Sequence, residues 1–300
     1  MSGCLLVINP SSGKENKDGL SEKISAMLSK HFDRIELRYT EKAGDAEAFV
    51  DLAKDLNMDT YFVVGGDGTV NEAINGLAKM ENPLKFGFLP MGTVNDLARA
   101  LGIPLKLEDA LSALEHITWQ PLDVGQINDQ YFMNVVALGE IPYAVNHTSS
   151  EEKSKFGFFA YLKDGFNALI NDEGQTYHIK LDGEELDAIT TEIILVALTN
   201  SVGSVEQMVA DARVDDGLLH LLVLKDTNAL EIGQEALQNL FDGNVSQANN
   251  VSYYKGQHIE ITSDDKSDDI ESNVDGDPGP TLPLELSILP SKLKVMVPKA

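Results

Sequence analysis

The chain is short of cysteine, of basic residues and of long apolar runs, and each shortage excludes something. Cys4 is the only cysteine among 300 residues, so neither an internal disulfide nor a paired-cysteine metal site can form, and a reducing, cytoplasmic compartment is expected. Lys and Arg number 23 against 48 Asp and Glu, for a formal charge of -25. Residues 1–123 carry -7 of this and residues 124–300 carry -18. Nucleic acid is excluded as a main partner, because neutralising phosphates requires a clustered basic face. The longest apolar stretches, Ile193–Leu198 and Leu218–Leu224 with His220 inside it, fall far below the roughly 20 residues of a membrane span. The N-terminal segment has neither the basic start nor the apolar length of a secretion signal. A soluble or membrane-peripheral protein is expected.

What is present reads as two domains. The hydrophobic share of 43% is ordinary for globular chains, and the length suits two domains of roughly 150 residues each. Up to residue 123, short apolar runs alternate with helical spacing. Strands are expected at Cys4–Ile8, Arg34–Tyr39, Thr60–Val64 and Lys85–Leu89, with helices at Leu20–Leu28, Ala46–Leu56, from Val70, at Asn95–Leu101 and at Leu107–Ile117. That alternation predicts a parallel sheet with helices on its faces. Beyond residue 123, β-rich runs dominate: Tyr131–Val136, Tyr177–Leu181, Thr190–Leu198, Leu218–Leu224, Ser252–Ile261 and Leu293–Val297, several bounded by Asp-Gly turns. An antiparallel sandwich follows, with helical inserts near 157–170 and 229–241. The boundary is placed at Pro121–Gly125, and the acidic run Ser263–Ser272 reads as a solvated loop.

The sharpest motif is Gly65-Gly66-Asp67-Gly68-Thr69, between a strand and a helix. Glycines there let backbone N–H groups approach a phosphate, and the helix start adds its positive end. A carboxylate beside phosphates repels them unless a divalent cation intervenes, so Asp67 implies Mg²⁺. Asn71 stands where a dinucleotide fingerprint needs a third glycine, and Ile8 and Glu15 break a Walker pattern around Gly13-Lys14. An open alternative is that Thr69 and Glu72 form a capping box and Thr93 caps the next helix. Against it stands convergence: Asn9-Pro10-Ser11-Ser12-Gly13, Thr40, Gly65–Thr69 and Pro90–Asp96 all end predicted strands, and ligands of α/β sheets bind at such carboxyl ends.

Together Asn9–Gly13, Gly65–Asn71 with Glu72, and Pro90-Met91-Gly92-Thr93-Val94-Asn95-Asp96 resemble the bacterial diacylglycerol kinase family, which includes related lipid kinases such as sphingosine kinases. The resemblance extends through Asp123–Gly125, Tyr131–Asn134, Ala212–Leu218 and Asn273–Gly276. The Gly-Gly-Asp-Gly-Thr core is shared with NAD kinases and phosphofructokinases; the Met91–Asp96 element points to lipid kinases. The resemblance implies a phosphofructokinase-like nucleotide-binding α/β domain (1–123) and a β-sandwich lipid-substrate domain (124–289), with about 290–300 returning to the first and the active site in the cleft between them. ATP would contact Asn9, Pro10, Ser11, Ser12, Gly13, Thr40, Gly65, Gly66, Asp67, Gly68, Thr69, Val70, Asn71 and Thr93.

In the second domain the resemblance implies a structural Mg²⁺ held by the Asp216 carboxylate and the carbonyls of Arg213 and Leu218; the residues alone read Asp216-Gly217 as a hairpin turn. Asp277 stands where the family usually carries Glu as the general base, one methylene shorter; by itself Asp275-Gly276 is another turn. Asp277 and Asp67 are the expected catalytic residues. The implied activity is ATP- and Mg²⁺-dependent phosphorylation of a lipid hydroxyl, diacylglycerol to phosphatidic acid, in phospholipid metabolism. The expected setting is the inner face of the membrane, with peripheral contact and a homodimer. Lys153, Lys155 and Lys163 among Phe156, Phe158, Phe159 and Tyr161 suit a headgroup contact as well as an aromatic-faced helix. The alternatives are a kinase of a soluble substrate such as NAD and a non-catalytic nucleotide or lipid sensor.

Overall fold

A computed structural model describes residues 2–13, 19–139, 175–191, 193–202, 209, 211–224, 251–264 and 270–299. Two compact units emerge, Met1–Val124 with Ser291–Ala300, and Gly125–Pro290. The expected helical inserts at 157–170 and 229–241, and the Lys153–Lys163 cluster, lie outside the described residues.

The first unit runs β1 (Gly3–Ile8), α1 (Leu20–Leu28), β2 (Arg34–Tyr39), α2 (Asp45–Asp55), β3 (Thr60–Gly65), α3 (Asp67–Ala78), β4 (Lys85–Pro90), α4 (Asp96–Ala100), α5 (Leu107–Ala113) and the start of β5 (Ile117–Ile127). Its sheet is parallel in the order β4-β3-β1-β2. The central strands β1 and β3 are buried along their whole length, as expected of strands covered on both faces. The register is level. Ile8 pairs with both Tyr39 and Val64, and Gly65 with Pro90, so the four strands deliver their following loops to one edge. Leu6, Ile8, Phe62 and Val64 pack with Leu20, Ile24 and Leu28 of α1. On the opposite face Tyr61 donates to the Ala46 carbonyl of α2, and Gly76 lets α3 approach Val50, since a Cβ there would lie 2.8 Å from a Val50 methyl.

The second unit continues with β6 (Gln130–Phe132), β7 (Val135–Gly139), β8 (Gln175–Leu181), β9 (Glu184–Glu185), β10 (Ile189–Thr191), β11 (Ile193–Ala197), β12 (Leu219–Leu224), β13 (Val251–Gly256), β14 (His258–Ser263), β15 (Glu271–Val274), β16 (Asp277–Thr281) and β17 (Leu284–Pro298). One antiparallel sheet has the order β13-β12-β11-β7-β15-β16; in the other, β10-β8-β14 meets the first half of β17. Alternate residues meet in one core: Val136, Leu138, Ile194, Val196, Leu219 and Leu221 from the first, Tyr177, Ile179, Ile259, Ile261, Leu284 and Leu286 from the second. Each such side chain contributes roughly 1.5–3 kcal/mol on burial.

Several features differ from the sequence reading. Tyr131–Val136 holds parts of two strands, β6 and β7, and Thr190–Leu198 parts of β10 and β11. Pro121 lies inside a strand, β5, that the sequence reading did not give. The run Ser252–Ile261 is two strands that separate at Gly256-Gln257. β17 is much longer than Leu293–Val297; its second half, from Ser291, belongs to the first unit, where Val295 pairs in parallel with Phe86 of β4.

Candidate active site

The loops after β1, β3 and β4 are sewn to one another by side chains. Asn9 Nδ2 donates to Thr69 Oγ1 at 2.9 Å, while its Oδ1 accepts from the Ser11 N–H at 2.9 Å. The Gly66 N–H donates to Ser12 Oγ at 3.3 Å and the Met91 N–H to the Gly65 carbonyl at 2.7 Å. In the β4 loop, Asn95 in left-handed backbone (φ 54°) accepts from the Gly92 N–H and donates back to the Gly92 carbonyl, each at 2.9 Å. Its own N–H donates to Asp67 Oδ2 at 2.8 Å. Thr40, at the end of β2, donates its N–H to the Ile8 carbonyl at 3.0 Å.

The glycines are required by closeness. A Cβ on Gly65 would lie 2.5 Å from Thr69 Cβ, and one on Gly92 would lie 2.9 Å from Gly66 Cα. The two loops therefore touch backbone to backbone. Helix α3 starts directly at Asp67, with Gly66 as N-cap and no side-chain cap. The first N–H groups of a helix have no intrahelical acceptor, so this uncapped start suits an anion. The capping-box alternative does not hold. Thr69 lies inside the helix bonded to Asn9, and Glu72 accepts instead from the Ala46 N–H of α2 at 3.2 Å. Thr93 is exposed and is not the cap of α4, a place taken by Asn95.

Asp67 is half-buried in this seam. Burial pushes its carboxyl above the ordinary aspartate range; the Asn95 N–H pulls it partly back, and the charge of Asp96 pushes it up again. A carboxylate disfavoured both by burial and by a like charge is a suitable partner for a divalent cation, whose charge reverses both penalties.

The structure thus brings Asn9, Ser11, Ser12, Gly65, Gly66, Asp67 and Thr69 into one hydrogen-bonded or touching set, with Pro10 and Gly13 in the first loop, Gly68 in the first turn of α3 and Thr40 at the neighbouring strand end. Val70 differs from expectation in kind. Its side chain is 3% exposed in the core, so only its backbone could face a nucleotide. Asn71 lies further along α3, its carbonyl accepting from Asn75. The residue that sequence reasoning left out is Asn95. Its signal was the Asn three residues after Gly92, which can close an Asx-type turn and tolerate left-handed backbone.

In the second unit, Asp275 and Gly276 form the turn between β15 and β16, with φ of 51° and 95°. Both readings of this motif are compatible, because the turn sets Asp277 opposite Val274 as the first residue of β16. The buried Asp275 carboxylate accepts three N–H groups, from Met133 at 2.8 Å and from Asn134 and Val135 at 2.9 Å. That clamp fixes the turn from which Asp277 emerges, and the sequence reading gave Asp275 no such part.

Asp216 does not sit in a hairpin between paired strands; it closes the Asp211–Leu218 loop before β12. Oδ2 accepts the Arg213 N–H at 3.1 Å and Oδ1 the Leu218 N–H at 3.0 Å, and His220 Nε2 lies 3.1 Å from Oδ2. Burial alone would raise this carboxyl, but His220 and the two N–H groups outweigh it and hold it below the ordinary range. Among the described residues no three His, Cys, Asp or Glu side chains form a metal cage. An ionised carboxylate with one lone pair still open, in a loop whose Arg213 carbonyl accepts the Asp216 N–H at 3.3 Å, nonetheless fits a hard cation completed by water.

Residues 3–127 match the diacylglycerol kinase catalytic domain, and residues 135–297 match the YegS C-terminal NAD kinase beta sandwich-like domain. A diacylglycerol kinase of Staphylococcus aureus (strain MRSA252) is 34% identical over 98% of this chain and 91% of its own. A crystal structure of a diacylglycerol kinase from Bacillus anthracis str. Sterne superposes with a TM-score of 0.77 at 25% identity, covering 99% of this chain and 97% of that one. An NAD kinase from Archaeoglobus fulgidus, solved with ATP, shares the fold at a TM-score of 0.50 and 13% identity, over 99% of this chain and 93% of that one. The chain is a kinase-family protein, and it belongs to the bacterial diacylglycerol kinase family.

Proposed function

We propose that this chain is an ATP- and Mg²⁺-dependent lipid kinase that phosphorylates the free hydroxyl of diacylglycerol or a closely similar lipid. The observation that carries the nucleotide half is the seam of Asn9, Ser12, Gly65–Thr69 and Gly92–Asn95 at the level ends of β1, β3 and β4. The uncapped start of α3 receives the phosphates, and Asn9 and Ser12 hold the turn in shape. Mg²⁺, when bound with the nucleotide, would offset charge on the transferring phosphoryl group. Asp67 supplies the carboxylate toward that cation. The lipid oxygen forms its bond to the γ-phosphorus as the bond to the bridging oxygen of ADP breaks, and Asp277 takes the hydroxyl proton. A well-placed base contributes about 10²- to 10⁴-fold, so a shorter carboxylate slows transfer without abolishing it. The lipid substrate rests on the names of the relatives and on the Met91–Asp96 element. Contact with the bilayer would be peripheral; among the described residues no helix is long and apolar enough to cross a membrane. Arg213, Asp216 and Leu218 are the residues we assign to a second, structural Mg²⁺.

The test offers diacylglycerol vesicles and NAD side by side with labelled ATP. Label in phosphatidic acid supports the reading. Label in NADP alone, or ATP use with neither product, rejects it.

A further inference from the structure

The structural cation proposed above leaves one group without a role: a fully buried histidine behind its ligand. His220 is 0% exposed. It lies in β12 on the face opposite Leu219, Leu221 and Val223, which enter the sandwich core. Both ring nitrogens are engaged. Nε2 is 3.1 Å from Asp216 Oδ2, and Nδ1 is 2.6 Å from the Tyr253 hydroxyl of β13. A carboxylate only accepts, so the Nε2 position carries the proton in this contact and Tyr253 is free to donate to Nδ1. The two rings stack, 6.0 Å between centroids and 16° between planes. Lys255 extends the chain, with Nζ 5.4 Å from the Tyr253 centroid and 3.2 Å from Asp211 Oδ2 at the head of the same loop.

The geometry points to His220, fixed by Tyr253, as a positioning residue that orients the Asp216 carboxylate toward a hard divalent cation. With Oδ2 taken by His220 and the Arg213 N–H, Oδ1 is the oxygen left with an open direction, so the relay decides which way the carboxylate presents itself. Partners of this outer kind typically govern about 10- to 100-fold of metal affinity. The inference rests on the metal reading of Asp216 and is independent of the lipid assignment.

The test is a Mn²⁺ titration followed by electron paramagnetic resonance, without nucleotide, on the full chain. Wild type should bind one ion, and Asp216→Asn should abolish binding. His220→Ala should weaken it about 10- to 100-fold, Tyr253→Phe should weaken it less, and His220→Gln, which keeps a donor, should recover part of the loss. If wild type binds no Mn²⁺, the metal reading falls and takes this inference with it. If Asp216→Asn loses the ion while the His220 and Tyr253 variants keep wild-type affinity, the metal stands and the relay is wrong. Should His220→Ala fail to fold by circular dichroism, Tyr253→Phe decides, because it preserves the ring; unchanged affinity there overturns the relay.

Discussion

Asp67 in the first unit and Asp216 in the second are both carboxylates next to a glycine, and their surroundings treat them oppositely. Asp67 is pushed up by burial and by Asp96, with the Asn95 N–H only partly offsetting that. Asp216 is drawn down, because His220 and two N–H groups outweigh its burial. The first is a charge that its hydrogen bonds do not fully offset, at the end of a parallel sheet. The second is a satisfied charge that organises its own loop. Asp275, with three N–H donors, belongs with the second kind. Functional sites are where a fold tolerates the first kind, at some loss of stability.

The contrast can be broken by substitution. The largest expected effect is on turnover: Asp67→Asn should lower phosphoryl transfer on the order of 10²- to 10³-fold, the usual loss when one preorganised charge-stabilising group is removed. A rate within threefold of wild type would show that Asp67 is only part of a turn. Next, Asp275→Ala leaves three buried N–H groups without acceptors, which should cost on the order of 3 kcal/mol. Amide hydrogen exchange should locate that loss in residues 133–135 and 271–281. Gly65→Ala places a Cβ 2.5 Å from Thr69 Cβ and should cost roughly 1–3 kcal/mol by overpacking, with weaker nucleotide binding in the same variant.

The smallest effects have opposite signs. An acid whose folded pKa is raised lowers stability once the pH exceeds its unfolded value, near 3.9 for Asp. Asp67→Asn should therefore raise nucleotide-free stability at pH 7 by about 0.5–2 kcal/mol, and the gain should vanish as the pH falls below about 4. An acid whose folded pKa is lowered contributes stability above its unfolded value and loses it as the pH falls through the folded one. Asp216→Asn should therefore destabilise at pH 7, with the difference closing on acidification. Melting curves of both variants across pH would show this crossing; two curves of the same sign would remove the distinction.

How far the sequence carried these conclusions depended on which force set each element. In the first unit, apolar runs and helical spacing were decisive, and α1 falls on Leu20–Leu28 as read. Loops that end parallel strands must collect at one edge, so the convergence of Asn9–Gly13, Thr40 and Gly65–Thr69 could be argued before any coordinates. The second unit was less legible. β16, Asp277-Pro278-Gly279-Pro280-Thr281, has the composition of a turn, and only pairing with β15 makes it a strand. β5 hid behind Pro121. Long-range contacts were the least visible: nothing local announces that Asp275 accepts from residues about 140 positions earlier, or that His220 reaches Tyr253 on another strand. The Asn95 clasp lay between, because its turn chemistry was legible and its bond to Asp67 was not.

The central claim is that the seam at the ends of β1, β3 and β4 grips a magnesium-bound triphosphate. Isothermal calorimetry of wild-type protein with ATP and saturating Mg²⁺ tests it most directly. One ATP bound per chain, weakened by Gly65→Ala, is the predicted result. A well-folded chain that releases no binding heat at any temperature tried, and retains no nucleotide on equilibrium dialysis, would contradict it.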